Sequence, residues 1–389
     1  MDQREFTGSA PGKLVRTLSN QPDALYAFVP DDLPPRWSWP GHLWPKLVTA
    51  RARLASLDGT GKHLPNPEII LKPLQQREAQ LSSRLEGTIT DPRQQALFQA
   101  NPRYPVSEAD PTNAYREVFN YARALRWKLD GHTDLPLSLR LIRQLHGVLM
   151  DGVRGSGQQP GEFRTIQNQI GRPARFVPPP AEHLRATLNS FEKYLYDENS
   201  GLDPLVRAFI AHYQFETIHP FHDGNGRVGR LLLALTISEW CELSGQWLYM
   251  SAFFEKRKQE YMDLLLRVST HGDWGRWLEF CLDGVIAQAL DTEHRCDKLM
   301  ALHRDFHERL KGIRSGSVRL SSLVDSLFSR PICTVRGVQD EFNVSYPTAR
   351  SDLRKLETSG ILTKLESLPR ATYYCSPIFH VTYEDDSSE

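Results

Sequence analysis

The stretch Ile218-His219-Pro220-Phe221-His222-Asp223-Gly224-Asn225-Gly226-Arg227-Val228-Gly229-Arg230 gathers reactive side-chain types in one short run. It follows one amphipathic segment and leads into another from Leu231, so its polar groups fall at a helix junction. Gly-Asn-Gly before a helix offers backbone N–H groups and the positive end of the helix dipole, with no glycine side chain to hold a phosphate away. Arg227 and Arg230 lie three apart, share a helical face, and can clamp the outer phosphates of a nucleotide with two guanidinium forks. Asp223 offers the hard oxygen that Mg²⁺ takes together with phosphate oxygens. His219, four residues earlier, titrates near neutrality when unperturbed and can take the proton of an attacking hydroxyl. A glycine-rich turn alone is often only a turn; base, metal ligand and clamp in one run point to phosphate chemistry. His219, His222 and Asp223 do not read as a transition-metal cluster, because no third histidine or cysteine stands at ligand spacing beside them.

These residues resemble the signature of the Fic family, H-x-F-x-D/E-G-N-G-R-x-x-R, at every defined position. The resemblance implies His219 as general base, Phe221 as a buried anchor and Asp223 as Mg²⁺ ligand. It implies Gly224, Asn225 and Gly226 as anion hole, and Arg227 and Arg230 as phosphate clamps. Family relatives that transfer a phosphoryl group carry lysine where this chain has Gly226, so the glycine argues for transfer of AMP from ATP. The segments Pro160-Gly161-Glu162-Phe163-Arg164 and Ala174-Arg175-Phe176-Val177-Pro178-Pro179 resemble those flanking the family's flap. By that likeness Arg175, Phe176 and Val177 would meet an extended target segment by strand addition.

Ser82-Ser83-Arg84-Leu85-Glu86-Gly87 resembles the family's inhibitory motif, Ser/Thr-x-x-x-Glu-Gly/Asn, and on a helix Ser82 and Glu86 share a face. A helix glutamate is ordinarily just solvated; here the resemblance implies a salt bridge from Glu86 to Arg230 that diverts the arginine from the γ-phosphate. The implied activity is AMP transfer from ATP·Mg²⁺ to a serine, threonine or tyrosine hydroxyl of a protein, with self-modification and, by resemblance, a homodimer. Removal of AMP from modified proteins is the alternative within the family. A nucleotide-sensing DNA-binding regulator is the alternative of another class.

The elements that must position these groups are mostly helical. Three- and four-residue apolar spacing predicts helices over 43–57, 67–85 (stopping at Gly87), 111–129, 137–150, 180–196, 204–218, 231–243, 256–269 and 274–309. Between them, Thr165 to Pro178 suits a short β-hairpin, expected as the only sheet in the core. The opening to Pro45, rich in proline and tryptophan, reads as an arm laid over the body. From Leu320 the order helix, short helix, longer helix opening at Ser345-Tyr346-Pro347, then two β-rich runs, reads as a winged helix-turn-helix. The expected fold is therefore mainly α: an N-terminal region (1–130) with the inhibitory motif, a catalytic core (131–310), a winged helix (311–380) and an acidic tail (381–389).

The 389 residues, 40% apolar and 24% charged, suit a folded chain of two or three domains. A net charge of +0 gives no overall basic surplus for a phosphate backbone, so any DNA contact is local. Arg350, Arg354 and Lys355 of the recognition helix are its best candidates, but winged helices also recognise proteins. Leu231 to Leu235, the longest apolar run, is far too short for a bilayer. With five scattered cysteines and no leader-like start, the expectation is a cytoplasmic protein with reduced thiols.

Overall fold

The computed structural model describes residues 2–17, 25–64, 66–153, 159–171, 173–197, 201–313, 318–365 and 371–383. The opening segment folds back on itself: β1 (Gly12–Arg16) pairs antiparallel with β2 (Tyr26–Pro30), placing Leu14 opposite Phe28. Trp37 and Trp39 then pack against the helical core, which pins the arm as expected. Next come α1 (Trp44–Lys62), α2 (Glu68–Leu85), α3 (Pro92–Ala100) and α4 (Thr112–Arg126). α5 (Leu139–Leu149), α6 (Ala181–Tyr196), α7 (Pro204–Ile218) and α8 (Asn225–Trp240) follow, and then α9 (Ser251–Lys256), α10 (Lys258–His271) and the long α11 (Trp274–Lys311).

Local sequence explains where the key helices begin and end. α5 opens on Ser138 and α7 on Asp203, each side chain accepting a first-turn N–H, and Pro204 occupies the first turn of α7. α7 is buried almost all round, from Leu205 to Ile218, and packs along α8 as the central pair. α2 ends in a Schellman arrangement: Gly87 N–H donates to Arg84 O at 2.9 Å and Thr88 N–H to Ser83 O at 3.0 Å, with Gly87 at φ +87°.

The tail is α12 (Val318–Ser329), β3 (Ile332–Thr334), α13 (Val335–Phe342), α14 (Tyr346–Thr358), β4 (Thr363–Lys364), β5 (Thr372–Tyr374) and α15 (Ser376–Tyr383), with sheet order β3-β5-β4. Ser345 caps α14, and Asn343 turns the chain between α13 and α14 at φ +48°. This is the winged helix-turn-helix.

Several expectations are corrected. The predicted hairpin between 165 and 178 is a tight loop closed by one bridge, Ile170 to Phe176. The sheet beside it comes from the arm: Phe28 N–H of β2 donates to Val177 O at 2.9 Å. The helix expected from Leu231 starts at Asn225, so the Gly-Asn-Gly run is a helix N-terminus and not a loop ahead of one. Helices α3 and α15 were not foreseen; Ala96 of α3, Ile332 of β3 and Phe379 of α15 bury one another. Leu320, Leu323, Leu353 and Ile378 belong to the same buried cluster as Leu145 and Phe221, so one apolar core runs from the helical body into the tail. The acidic Glu384-Asp385-Asp386 lies outside the described residues.

Candidate active site

His219 ends α7 in the left-handed region, φ +49°, and turns the chain into the junction. That turn is held from several sides. The Asn225 carboxamide accepts from Phe221 N–H at 2.8 Å and donates to Phe221 O at 2.8 Å, closing the loop onto the start of α8. The Phe221 ring is fully buried and stacks on His146 of α5, centroids 3.8 Å apart. His146 Nδ1 accepts from Gly161 N–H at 2.8 Å, which leaves Nε2–H to donate to Asp223 O at 3.1 Å. Burial draws the His146 pKa down to about 4, in keeping with that neutral tautomer. Arg164 donates from Nε to His219 O at 2.9 Å and from Nη1 to Ile166 O, tying the junction to the flap segment.

Gly224 caps α8 at φ +77°, and the N–H groups of the first turn, Asn225 to Arg227, have no partner within the helix. Such N–H groups at a helix N-terminus make a cradle suited to an anion. Asp223 Oδ1 accepts from Gly224 N–H at 2.6 Å, and its side chain is 56% exposed beside the cradle. Its second oxygen stays open toward solvent with Arg227 3.9 Å away, a donor suited to a hard divalent cation shared with phosphate.

The two arginines differ in their partners. Arg227 Nη1 donates to Glu117 Oε2 of α4 at 3.3 Å, and Glu117 Oε2 also accepts from Thr88 Oγ1 at 2.6 Å. Arg230 Nε donates to Ser82 Oγ at 2.8 Å, while its Nη2 donates to Ser82 O at 2.9 Å and Glu86 Oε1 at 2.8 Å. The sequence motif thus meets the arginine it was expected to meet. A Cβ at Gly226 would overlap the Glu86 carboxylate, so a side chain there would have to displace Glu86. Burial favours the neutral Glu86 acid, yet the charge and hydrogen bond of Arg230 outweigh burial and the net pKa is lowered.

Glu86, His219, Gly226 and Arg230 line one cavity of about 420 Å³, walled by Phe176 of the flap segment and by Lys258, Tyr261 and Leu265 of α10. Arg175 also reaches the rim and pairs with Asp263 of α10. Val177 does not reach the cavity: it is buried against Ala27 and Ala174. His219 Nδ1 faces Glu216 O at 3.3 Å, and burial, reinforced by the Arg164 charge, pulls its pKa down to about 4.

Sequence reasoning missed four contributors: His146, Glu117, Glu216 and Lys258. Lys258 Nζ donates to Leu85 O at 2.6 Å, holding the last turn of α2 over the cavity. Glu216, one helical turn before His219, lines the cavity wall and burial pushes its pKa up to about 7; its spacing from His219 was the available signal. His212 makes structural contacts: Nδ1 faces Gly229 O at 3.2 Å and Nε2 faces Tyr261 OH at 2.9 Å.

Residues 136–237 match the Fic/DOC family, residues 44–130 the Fic/DOC family N-terminal region, and residues 319–366 a DeoR-like helix-turn-helix domain. The core and the N-terminal region thus match the two Fic/DOC models, and the C-terminal side matches a helix-turn-helix domain. It is 45% identical over 76 residues to a protein named protein adenylyltransferase fic-1 of Caenorhabditis elegans, 19% of this chain and 14% of that one. It is 31% identical over 153 residues to protein adenylyltransferase Fic of Drosophila grimshawi, 38% of this chain and 29% of that one. The chain thus spans well under half the length of these curated relatives. A Fic family protein from Desulfovibrio desulfuricans G20 shares the fold with a TM-score of 0.55 at 18% identity, covering 88% of this chain and 98% of that chain. No helix among the described residues is long and apolar enough to cross a membrane.

Proposed function

We propose that this protein is an adenylyltransferase that moves AMP from ATP to a hydroxyl on a protein, and that Glu86 restrains it. The observation that carries the reading is the cavity in which a neutral imidazole, a helix N-terminus and a carboxylate-bound arginine converge. In the reaction His219 takes the proton of the target hydroxyl, its oxygen bonds to the α-phosphorus, and the bond to the pyrophosphate leaving group breaks. The low pKa of His219 keeps it unprotonated and able to accept. Backbone N–H groups of Asn225 to Arg227 receive phosphate oxygens, and Arg230, once free of Glu86, meets the outer phosphate. Asp223 would hold Mg²⁺, which neutralises phosphate charge when bound. Arg175 and Phe176 at the rim would contact the target segment, with Val177 supporting them from the buried side.

The Glu86–Arg230 contact is charge-assisted and contributes about 1.5–3 kcal/mol, with the 40% exposure of the Glu86 side chain favouring the lower end. Glu86→Gly is therefore expected to raise ATP-dependent modification by about ten- to a hundred-fold. Intact-mass spectrometry after incubation with ATP and Mg²⁺ tests this: an AMP-sized adduct grows in Glu86→Gly and is absent from Glu86→Gly/His219→Ala. Equal labelling of wild type and Glu86→Gly at equal folded fraction would sink the restraint. Loss of AMP from a pre-modified protein, lowered by Glu86→Gly, would instead favour the reverse reaction. The helix-turn-helix match supports duplex DNA as a second reading, with Arg350, Arg354 and Lys355 of α14 lining one surface hollow with Arg309.

A further inference from the structure

His303 and His307 stand one turn apart on α11, and Asp325 faces them from α12. His303 Nε2 lies 2.7 Å and His307 Nε2 2.9 Å from the same oxygen, Asp325 Oδ1, and the two Nε2 atoms are 3.1 Å from each other. All three side chains are half-buried, at 22%, 29% and 38% exposure, and the His303 ring rests against Phe328. As hydrogen bonds alone this is an awkward set: two imidazole nitrogens converge on one carboxylate oxygen and on each other, so any protons they carry crowd together.

As a donor set it is orderly. Three atoms with mutual separations of 2.7–3.1 Å can all lie at about 2 Å from one ion about 1 Å off their plane, and opening by a few tenths of an ångström brings them to three corners of a tetrahedron. Two imidazoles and a carboxylate, with histidines at i and i+4 on one helix face, select a first-row transition ion over Mg²⁺ or Ca²⁺. We propose that His303, His307 and Asp325 form a Zn²⁺ site, with its fourth position open to water, that clips the first helix of the tail onto α11. The ion would bridge residues 307 and 325 across the 311–318 connection, fixing the tail's orientation on the helical body. The site is separate from Asp223 and does not depend on the proposed transfer reaction.

The test uses the full chain, treated with chelator and titrated with Co²⁺ and then Zn²⁺. Visible d–d absorption of tetrahedral Co²⁺ without a sulfur charge-transfer band, displaced by one equivalent of Zn²⁺, is expected. Zn²⁺ should also raise the thermal midpoint by a few degrees. His307→Gln and Asp325→Asn should each weaken Zn²⁺ by roughly a hundred-fold or more, beyond the ten- to hundred-fold typical of lost supporting contacts. Circular dichroism in chelator checks that both variants remain folded. Absence of a Co²⁺ band in the wild type, a sulfur charge-transfer band, or unchanged affinity in both folded variants would overturn the site. If neither variant folds, the wild-type Co²⁺ spectrum alone decides it.

Discussion

At His219 burial disfavours the imidazolium first and the Arg164 charge adds to it, so the ring stays neutral down to about pH 4. Glu86 raises that pKa, and removing it leaves the ring easier still to keep neutral. Since catalysis needs the unprotonated base, kcat/KM of Glu86→Gly should hold on its acid side well below the ordinary histidine value of 6.5. An acid limb at or above 6.5 would mean that the ring titrates as if solvated. Glu86 behaves differently: its folded pKa lies below its unfolded value, so the Arg230 contact is fully present at neutral pH and is lost as pH falls through the folded pKa. The contact is thus a property of neutral solution. Arg227 and Arg230 sit three apart in the sequence, yet one is held by α4 and the other by α2. Nothing in their spacing distinguishes them.

At the scale of elements, the position of Glu86 depends on how α2 ends. Gly87 at φ +87° allows the Schellman closure, and no neighbour crowds its missing side chain, so the obstacle to substitution is the backbone conformation alone. Gly87→Ala should cost about 1–2 kcal/mol through left-handed strain, read as a lower denaturant midpoint. Because the same closure seats Glu86, labelling by ATP should rise in this variant too. Lost stability without any gain in labelling would show that the carboxylate reaches Arg230 independently of the cap. Helix ends were readable in the sequence at Gly87 and Ser345, where capping chemistry marks them, whereas the Asp91-Pro92 cap of α3 went unread. The start of α8 was placed too late, because Gly224 to Gly226 look like loop composition. The 165–178 segment closes on a single antiparallel bridge, Ile170 to Phe176, in place of a laddered hairpin, and only Val177 O beside it accepts from Phe28 N–H of β2.

For the whole molecule, the continuous core decides cooperativity. α12 packs on both α2 and α11, and α15 packs on α11, α2 and α3, so the tail is not a bead on a linker. Differential scanning calorimetry of the full chain should give a single transition whose calorimetric and van't Hoff enthalpies agree. A separate transition belonging to the tail would refute that coupling. A change at the tail, such as cation binding at His303 and His307, would then be felt by α11 and, through α2, near the element that bears Glu86.

The sequence by itself gathered His219, Asp223, the Gly-Asn-Gly run and both arginines at one helix junction, and the roles proposed for them come from residue type together with the Fic resemblance. It also determined the mainly helical architecture and the winged helix, since periodicity and caps are local signals. The tertiary structure decided what each group faces. Glu86 meets Arg230 across 144 positions, Glu117 holds Arg227 across 110, and Asp325 meets His307 across 18. Periodicity reports which face of a helix is buried but not which other helix covers it. Contacts made across such separations exist only once the core has brought those faces together.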